Sequence, residues 1–360
     1  MLDAFRARLF HLLSDLVLCH SPSGAEAEID AYLTQWLQRA GIEAQLDDAG
    51  NLVARLGDGR PGRAVAITAH KDEIGGIVKR VRRDGKVEVR RLGGAYPWVY
   101  GEGVVDLLGN RRVVSGILSF GSRHVSHESP QKIHEEERPP RWETAWVETK
   151  SSPDELAWAG VRPGTRVVIG KHRKQPFLLG EYVASYALDN KAAVAVLLLL
   201  AEAIQRPVFD LYLVFSAKEE VGGIGALYFT QRNRVDELIA LEIAPKALEY
   251  PIEHDQAPVL LSQDSYGMYD EGLNARLLEA AHRSRTPIQH AILNQFGSDA
   301  SVSMKWGHVA QAACVGFPAD NSHGYEIAHL GAVEACFQLL REYCETPEKG
   351  SLACGTAIQA

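Results

Sequence analysis

Residues 67–76 read ITAHKDEIGG, an apolar run that ends abruptly in a histidine, a lysine and two acids. The apolar part belongs to the segment AVAITAH at 64–70, which is typical of a short buried β-strand. His70 and Asp72 are separated by one residue, so their side chains point the same way from an extended backbone. A carboxylate in this position can orient the imidazole of a metal-bound histidine, although an isolated pair of this kind is more often a surface ion pair.

Segments of similar apolar character recur along the chain and alternate with helical patterns. The helical segments include residues 24–40, with Ser23 as the expected capping residue, and the very apolar run AAVAVLLLLA at 192–201. Further strands are predicted in GNLVARLG (50–57), LYLVFSA (211–217), ELIALEI (237–243) and HVAQAACVGF (308–317). This alternation predicts an α/β fold with a mixed sheet covered by helices on both faces.

Residues 75–179 have a different sequence pattern, with short alternating strands, glycine turns such as RDG and LGN, and no long helical pattern. We therefore predict a small inserted β-domain at 75–179 and a main α/β domain formed by 1–74 and 180–360. The polar stretch at 122–143 is predicted to be a solvated loop or a subunit contact rather than a metal site. That stretch contains three histidines, His124, His127 and His134.

The composition argues against several classes of function. The chain has 360 residues, a formal charge of -8 and a pI of about 5.9, so no positive field favours nucleic acid or an anionic membrane. Its longest apolar run, at 192–201, is far shorter than the roughly 20 residues that span a bilayer. The 5 cysteines show no CxxC spacing, which indicates reduced thiols and a cytoplasmic location.

Two acidic clusters follow the inserted segment. Asp189 stands directly before the most apolar helical run, where it could simply cap the helix. Glu219 and Glu220 are adjacent at the end of a predicted strand, and two neighbouring carboxylates repel each other unless positive charge holds them. A bound cation is one source of that charge, and Lys218 is the other candidate.

Glu242, at the end of an apolar strand, and His323, in the stretch FPADNSHGYEIAHL, complete the set. Each of the five sites is ambiguous alone, but the carboxyl ends of strands in an open α/β sheet meet where such folds place their sites. The set matches two metal ions that share a carboxylate, with one spare acid as a base. Because cysteine is absent from it, Zn²⁺, Co²⁺ or Mn²⁺ would suit the site.

Several stretches of the chain resemble the glutamyl/leucyl aminopeptidase family of di-metal exopeptidases, which includes the tetrahedral aminopeptidases. They are SPSGAE, AHKDEIGG, LGG, VRPGTRVV, ALDNKAAVAVLL, EEVGGIGA, GSDAS and NSHGYE, and together they cover nearly the whole chain. The resemblance implies a zinc-exopeptidase (phosphorylase/hydrolase-like) sheet with an inserted β-barrel-like domain. It also implies two divalent ions per subunit, Zn²⁺ first, short peptide substrates, and homo-oligomers from dimers to dodecamers.

The resemblance also implies roles for individual residues. One metal ion would be held by His70, Asp189 and Glu242, and the other by Asp189, Glu220 and His323, with Asp189 bridging. The resemblance makes Glu219 the general base, makes Asp72 the partner of His70 and gives a cis peptide between Asp189 and Asn190. Asp299, in GSDAS, is expected in the substrate pocket or in support of a loop, whereas its neighbour Ser298 has no recognisable triad partners that would make it a nucleophile.

Two departures from the family pattern bear on the substrate. Glu242 stands where the family usually has aspartate, a change that accompanies carboxypeptidase or deacylase activity in related enzymes. Lys71 replaces a commoner neutral residue, and it either favours acidic substrate side chains or pairs with Glu73. The first expectation is therefore an aminopeptidase acting on short peptides. The alternatives are the same chemistry on another amide, and a member that has kept an assembly role without catalysis.

Overall fold

The computed structural model describes residues 2–57, 62–122, 124–125 and 139–347. In these ranges the chain forms one large mixed sheet, helices on both faces of that sheet, and a separate closed barrel, which confirms the predicted fold class. The peptide between Asp189 and Asn190 is cis, as expected. Most of the 122–143 stretch, including His127 and His134, lies outside the described residues.

The strands are short and most are rich in β-branched and apolar residues. In chain order they are β1 (Ala44–Leu46), β2 (Leu52–Leu56), β3 (Ala64–His70), β4 (Gly75–Val81), β5 (Val87–Leu92), β6 (Gly103–Leu108), β7 (Val113–Ser119), β8 (Trp146–Glu148), β9 (Arg166–Ile169), β10 (Phe177–Leu179), β11 (Tyr182–Tyr186), β12 (Asp210–Ser216), β13 (Glu237–Pro245), β14 (Val259–Gln263), β15 (Gln289–Ile292), β16 (Gln311–Asp320) and β17 (Tyr325–His329).

The helices range from one turn to sixteen residues. They are α1 (Ala4–Leu18), α2 (Ala27–Arg39), α3 (Pro97–Tyr100), α4 (Pro153–Trp158), α5 (Leu188–Ala203), α6 (Ile224–Arg232), α7 (Glu271–Ser284), α8 (Asp299–Lys305) and α9 (Leu330–Glu345).

The large sheet has the order β1-β2-β12-β3-β13-β16-β17-β11-β10, with β14 and β15 attached beside β16. Strands β12, β3, β13 and β16 run parallel to one another, whereas the outer strands are antiparallel. Because parallel neighbours end at the same edge, this arrangement brings the carboxyl ends of β3, β12 and β13 together.

Alternate residues of the parallel strands face two separate cores. In β3, Val65, Ile67 and Ala69 pack with helices α1, α2, α5, α7 and α9, whereas Ala66 faces the core that includes residues of α6 and α8. Helix α5 is buried on every side over most of its length, as its apolar sequence predicts. Its first turn thereby lies deep in the molecule, beside the ends of the central strands.

The barrel closes in the order β4-β5-β8-β7-β6-β9, and each neighbouring pair is antiparallel. It has its own core, which includes Val89, Leu107 and Val147. The chain enters the barrel five residues after His70 and returns to the large sheet at β10. The predicted division of the chain at 74/75 and 179/180 stays a prediction.

One local expectation needs correction. The helix predicted at 24–40 begins at Ala27, and Ser23 does not cap it, because its hydroxyl donates to the carboxylate of Asp72 instead.

Four cysteines are free and buried, and Cys354 lies outside the described residues. Within the described part of the chain, no helix has the length and hydropathy needed to cross a membrane.

Candidate metal centre and active site

The predicted site residues converge at one edge of the large sheet. His70 ends β3, and Glu242 lies in the neighbouring strand β13, whose last residue is Pro245. Glu220 follows β12 in a one-turn 3₁₀ helix, Asp189 lies at the start of α5, and His323 occupies the turn between β16 and β17. Residues up to 253 positions apart in sequence are thus brought to one place by the strand order.

The first group consists of His70, Asp189 and Glu242, all of which are buried. The Nε2 atom of His70 lies 3.1 Å from Oδ1 of Asp189 and 3.6 Å from Oε2 of Glu242. Its other nitrogen, Nδ1, is 3.2 Å from the carbonyl oxygen of Asp72, to which it can donate. That contact leaves Nε2 to face the two carboxylates.

The second group consists of Asp189, Glu220 and His323. The Nε2 atom of His323 is 3.6 Å from Oδ2 of Asp189 and 3.5 Å from Oε2 of Glu220. Asp189 therefore turns one carboxylate oxygen to each group. This is the arrangement expected of a carboxylate that bridges two cations.

The spacing and chemistry of both groups fit divalent metal ions. Ligands at about 2.1 Å from one tetrahedral ion lie roughly 3.4 Å apart, close to the 3.1–3.6 Å measured between the imidazole nitrogens and the carboxylate oxygens. Oε1 of Glu242 is buried without a hydrogen-bond partner among the described residues. Imidazole and carboxylate ligands together suit Zn²⁺ and its first-row neighbours.

The buried carboxylates and His70 of the cluster have shifted pKa values. Burial is the main cause that raises the pKa of Glu219, Glu220 and Glu242 well above the usual range; His70 acts to lower these pKa values, and the neighbouring carboxylates act to raise them. Burial acts to lower the pKa of His70, but the carboxylates around it outweigh burial and raise that pKa well above 6.5. Like charges packed this closely in a buried site are tolerated when cations compensate them.

Asp72 holds the segment that carries the paired glutamates. Its Oδ1 accepts a hydrogen bond from the backbone N–H of Glu219 at 2.9 Å, and its Oδ2 accepts from the N–H of Glu220 at 3.3 Å. Oδ2 also accepts from the hydroxyl of Ser23 at 2.6 Å, and Oδ1 lies 3.6 Å from Nδ1 of His70. Asp72 thus touches both His70 and the backbone of the two glutamates, a connection that spacing within the sequence does not reveal.

Glu326 is a site residue for which the sequence pattern predicted no role. Its buried carboxylate accepts from the backbone N–H of Asp189 and from that of His323, each at 3.0 Å. Burial, followed by the charge of Asp189, raises its pKa well above the usual range. The sequence offered one indication of this role: Glu326 lies three residues after His323, within the stretch NSHGYE that resembles the family.

Asn190 also contributes to the site. Its side-chain amide donates to Oε2 of Glu242 at 2.9 Å and to the carbonyl of Leu241 at 2.8 Å. Asp189 does not cap α5, because its two carboxylate oxygens face His70 and His323, and the backbone of Asp189 and Asn190 is non-helical within the first turn. The helix-capping role considered for Asp189 is therefore wrong.

The lysines near the site have other partners than those predicted. Lys71 is fully buried and pairs with Glu26 at 2.6 Å and Asp30 at 2.7 Å, so both predictions made for it are wrong. Glu73 pairs instead with Lys174, whose Nζ is 3.0 Å from both carboxylate oxygens. Lys218, the other candidate for neutralising the paired glutamates, donates to the carbonyl of Ala49.

Asp299 needs a correction as well. Its carboxyl group is fully buried, accepts a hydrogen bond from Ser216, and is not part of the cavity lining, so it does not lie in the substrate pocket. Burial is the main cause that raises its pKa to about 6, and it adds to the negative charge that Glu219 and Glu242 experience. Its side chain lies behind the site rather than in it.

A cavity of about 580 Å³ opens over the cluster. Its inner end is formed by His70, Asp189, Glu219, Glu220, Glu242 and His323. The rest of the lining comes largely from β13 and from loops near residues 250, 265 and 295, together with Gly94 of the barrel segment. A volume of this size is typical of small-molecule sites and accommodates the end of a peptide.

The chain matches a known peptidase family and several named relatives. Residues 50–339 match the family described as M42 glutamyl aminopeptidase. YhfE of Bacillus subtilis (strain 168), provisionally named as an aminopeptidase, is 26% identical over 349 residues, which are 94% of this chain and 98% of that protein. The lysyl aminopeptidase of Pyrococcus furiosus is 28% identical over 189 residues, or 51% of each chain.

Among solved structures, the fold resembles that of the TET1 peptidase of Pyrococcus horikoshii. The TM-score is 0.83, with 21% identity over 93% of this chain and 99% of the other. That peptidase can assemble into a tetrahedron or a large octahedral shell. At this identity the comparison establishes a shared fold.

Proposed function

Because the chain belongs to the M42 glutamyl aminopeptidase family of metal-dependent peptidases, we propose that it is an aminopeptidase that removes N-terminal residues from short peptides. The observation that carries the proposal is the pair of ligand groups that share Asp189 at the inner end of the cavity. Names of the relatives support the same activity, since they include a lysyl aminopeptidase.

In this proposal His70, Asp189 and Glu242 hold one divalent ion, and Asp189, Glu220 and His323 hold the other. Zn²⁺ is the first choice, with Co²⁺ or Mn²⁺ as alternatives. The chemistry that bound ions supply at such a site is polarisation of the scissile carbonyl and a lowered pKa of water. The protein fixes the geometry through Asn190, which orients Glu242, and through Glu326, which anchors the backbones of two ligands.

Glu219 is proposed as the general base. It lines the cavity beside the ligands, and its backbone is anchored by the carboxylate of Asp72. Its carboxylate accepts a proton from the attacking water and then returns this proton to the leaving amine. Asp72 is a positioning residue in this scheme, because its contacts are with His70 and with backbone N–H groups.

We also propose that the chain forms homo-oligomers and that residues 75–179 act as the domain used in assembly. The shared fold with the TET1 peptidase supports this proposal. Mass measurement in solution by light scattering tests it, and a species above the 39.5 kDa monomer is the expected result.

The proposed activity is tested with aminoacyl p-nitroanilides. We expect hydrolysis that stops after chelation and returns when Zn²⁺ or Co²⁺ is added. Glu219→Gln should lower kcat by about 10²–10⁴-fold while the protein still binds metal, because the substitution removes only the proton acceptor. A substrate whose N-terminus is blocked separates an aminopeptidase from an enzyme that cuts another amide. Cleavage of the blocked substrate alone would overturn the proposal.

A further inference from the structure

The cavity has two chemically distinct parts. Among its described lining residues, every carboxylate and imidazole belongs to the cluster at the inner end. The remaining lining residues are all uncharged, and the large apolar and aromatic ones among them are here called the apolar lining. Its apolar and aromatic members are Ile243, Pro245, Tyr250, Tyr266, Phe296 and Val302, and the other lining residues are glycines and the uncharged polar residues Ser265, Asn294, Gln295 and Ser322.

The apolar lining is held in place by contacts between separate loops. The N–H of Ser265 donates to the carbonyl of Phe296 at 3.1 Å, and the N–H of Phe296 donates to the hydroxyl of Ser265 at 3.2 Å. The ring of Tyr266 lies so close to Gly297 that a Cβ there would be 2.3 Å from Cε2 of the ring. Tyr250 donates from its hydroxyl to the carbonyl of Asn294. The lining is therefore formed before a substrate arrives.

Lysines near this part of the cavity are turned to other partners. Lys305 lies with its Nζ 4.6 Å from the centre of the Tyr266 ring, and Lys246 pairs with Asp255 at 2.5 Å. Neither lysine is part of the cavity lining. Lys71, the residue that could have favoured acidic substrates, is buried in its own ion pairs away from the cavity.

From these observations we infer that the enzyme prefers peptides whose N-terminal residue has a large uncharged side chain, aromatic or branched aliphatic, over peptides that begin with an acidic residue. The inference rests on the proposed aminopeptidase function and adds the substrate class. A carboxylate side chain placed against the apolar lining loses its hydration and finds no lysine or arginine among the lining residues that the structure describes. An apolar side chain gains favourable burial there, and discrimination of about 10–200-fold per methylene is normal in such pockets.

The test compares p-nitroanilides of Phe, Leu, Ala and Glu with the metal-loaded protein. We expect kcat/KM for Phe and Leu to exceed that for Ala by at least about 10-fold and that for Glu by about 100-fold. Tyr266→Ala should lower kcat/KM for Phe by about 10-fold and leave the value for Ala within about twofold. Trp306→Ala is the matched control, because Trp306 is 67% exposed and is not part of the cavity lining.

Two further variants address the charge argument. Asn294→Lys, at an exposed lining position, should raise kcat/KM for the Glu substrate relative to Phe by about 10-fold, because it supplies the missing cation. Lys305→Ala should leave the ratio unchanged. Equal or faster turnover of the Glu substrate by the unmodified protein overturns the inference, as does a loss of Glu turnover in Lys305→Ala.

Failure of the proposed aminopeptidase function and failure of the inferred substrate preference can be told apart. If none of the anilides is cleaved by metal-loaded protein, the proposed function fails. The preference is then decided by calorimetric binding of phenylalaninamide against the α-amide of glutamate, with tighter binding of phenylalaninamide expected. Tighter binding of the glutamate amide overturns the inference.

Discussion

Gly94, in the barrel segment, is predicted to set the position of His323, a proposed metal ligand. A Cβ built on Gly94 would lie 2.2 Å from Nδ1 and 2.4 Å from Cε1 of the His323 ring. Non-bonded atoms settle at roughly 3.5 Å, so Gly94→Ala requires a displacement of roughly 1.3 Å. Metal sites tolerate deviations of only about 0.2 Å in ligand distance. The φ angle of Gly94 is outside the left-handed region, so the overlap itself, rather than backbone strain, is what the substitution introduces.

We expect Gly94→Ala to weaken binding of one of the two proposed metal ions by about 10–100-fold, and to lower kcat/KM by roughly 100-fold. Metal content of the dialysed protein and the visible spectrum of the Co²⁺-loaded form measure the first effect, and anilide hydrolysis measures the second. His323 is 39% exposed on its side chain, so its ring has room to move away while the fold is kept.

Gly101→Ala provides the matched control in the same segment. Gly101 has φ +64, and a Cβ added there would meet nothing within 4 Å, so alanine strains the backbone without touching the site. This variant should lose about 1 kcal/mol of stability and keep both metal ions and its activity. The reasoning is refuted if Gly94→Ala retains two metal ions with kcat/KM within about threefold, or if Gly101→Ala loses metal to the same extent.

The remaining predictions concern the groups that support the site. Glu326→Gln leaves one of the two buried backbone N–H groups of Asp189 and His323 facing a side-chain NH₂ instead of an acceptor. The free energy of unfolding in urea should therefore fall by about 1–3 kcal/mol, and metal binding should weaken. An unchanged free energy of unfolding and an unchanged metal affinity would contradict the positioning role. Lys71→Met leaves Glu26 and Asp30 without their shared cation and should cost about 3–5 kcal/mol in the same assay, with most of the loss recovered when both acids are also replaced by amides. Because Lys71 lies away from the cavity, the ratio of kcat/KM between Phe and Glu substrates should not change in Lys71→Met, and a marked change would show that this lysine acts on the substrate after all. Removal of metal by chelation should lower the thermal unfolding temperature, since ions that bind only the folded chain stabilise it, and an unchanged temperature would argue against a resident metal.

The amino-acid sequence by itself determined the fold class and the candidate ligands. Strands and helices leave periodic apolar patterns that short windows of sequence reveal, and strands of the large sheet match the predicted segments. The candidate ligands His70, Asp189 and Glu242 were identifiable because a chain rarely places imidazole and carboxylate groups next to apolar segments unless they bind something. Their convergence followed from a general property of parallel sheets rather than from any single residue.

Only the tertiary structure decided which charged groups face one another and which face the cavity. Lys71 lies two residues from Glu73 in sequence, yet it pairs with Glu26, which is 45 positions away. The role of Glu326 and the position of the apolar lining were not predictable from the sequence for the same reason. Hydrogen bonds and ion pairs act over about 3 Å, and contacts of that range between distant segments depend on how complete elements pack, which local spacing in the chain does not encode.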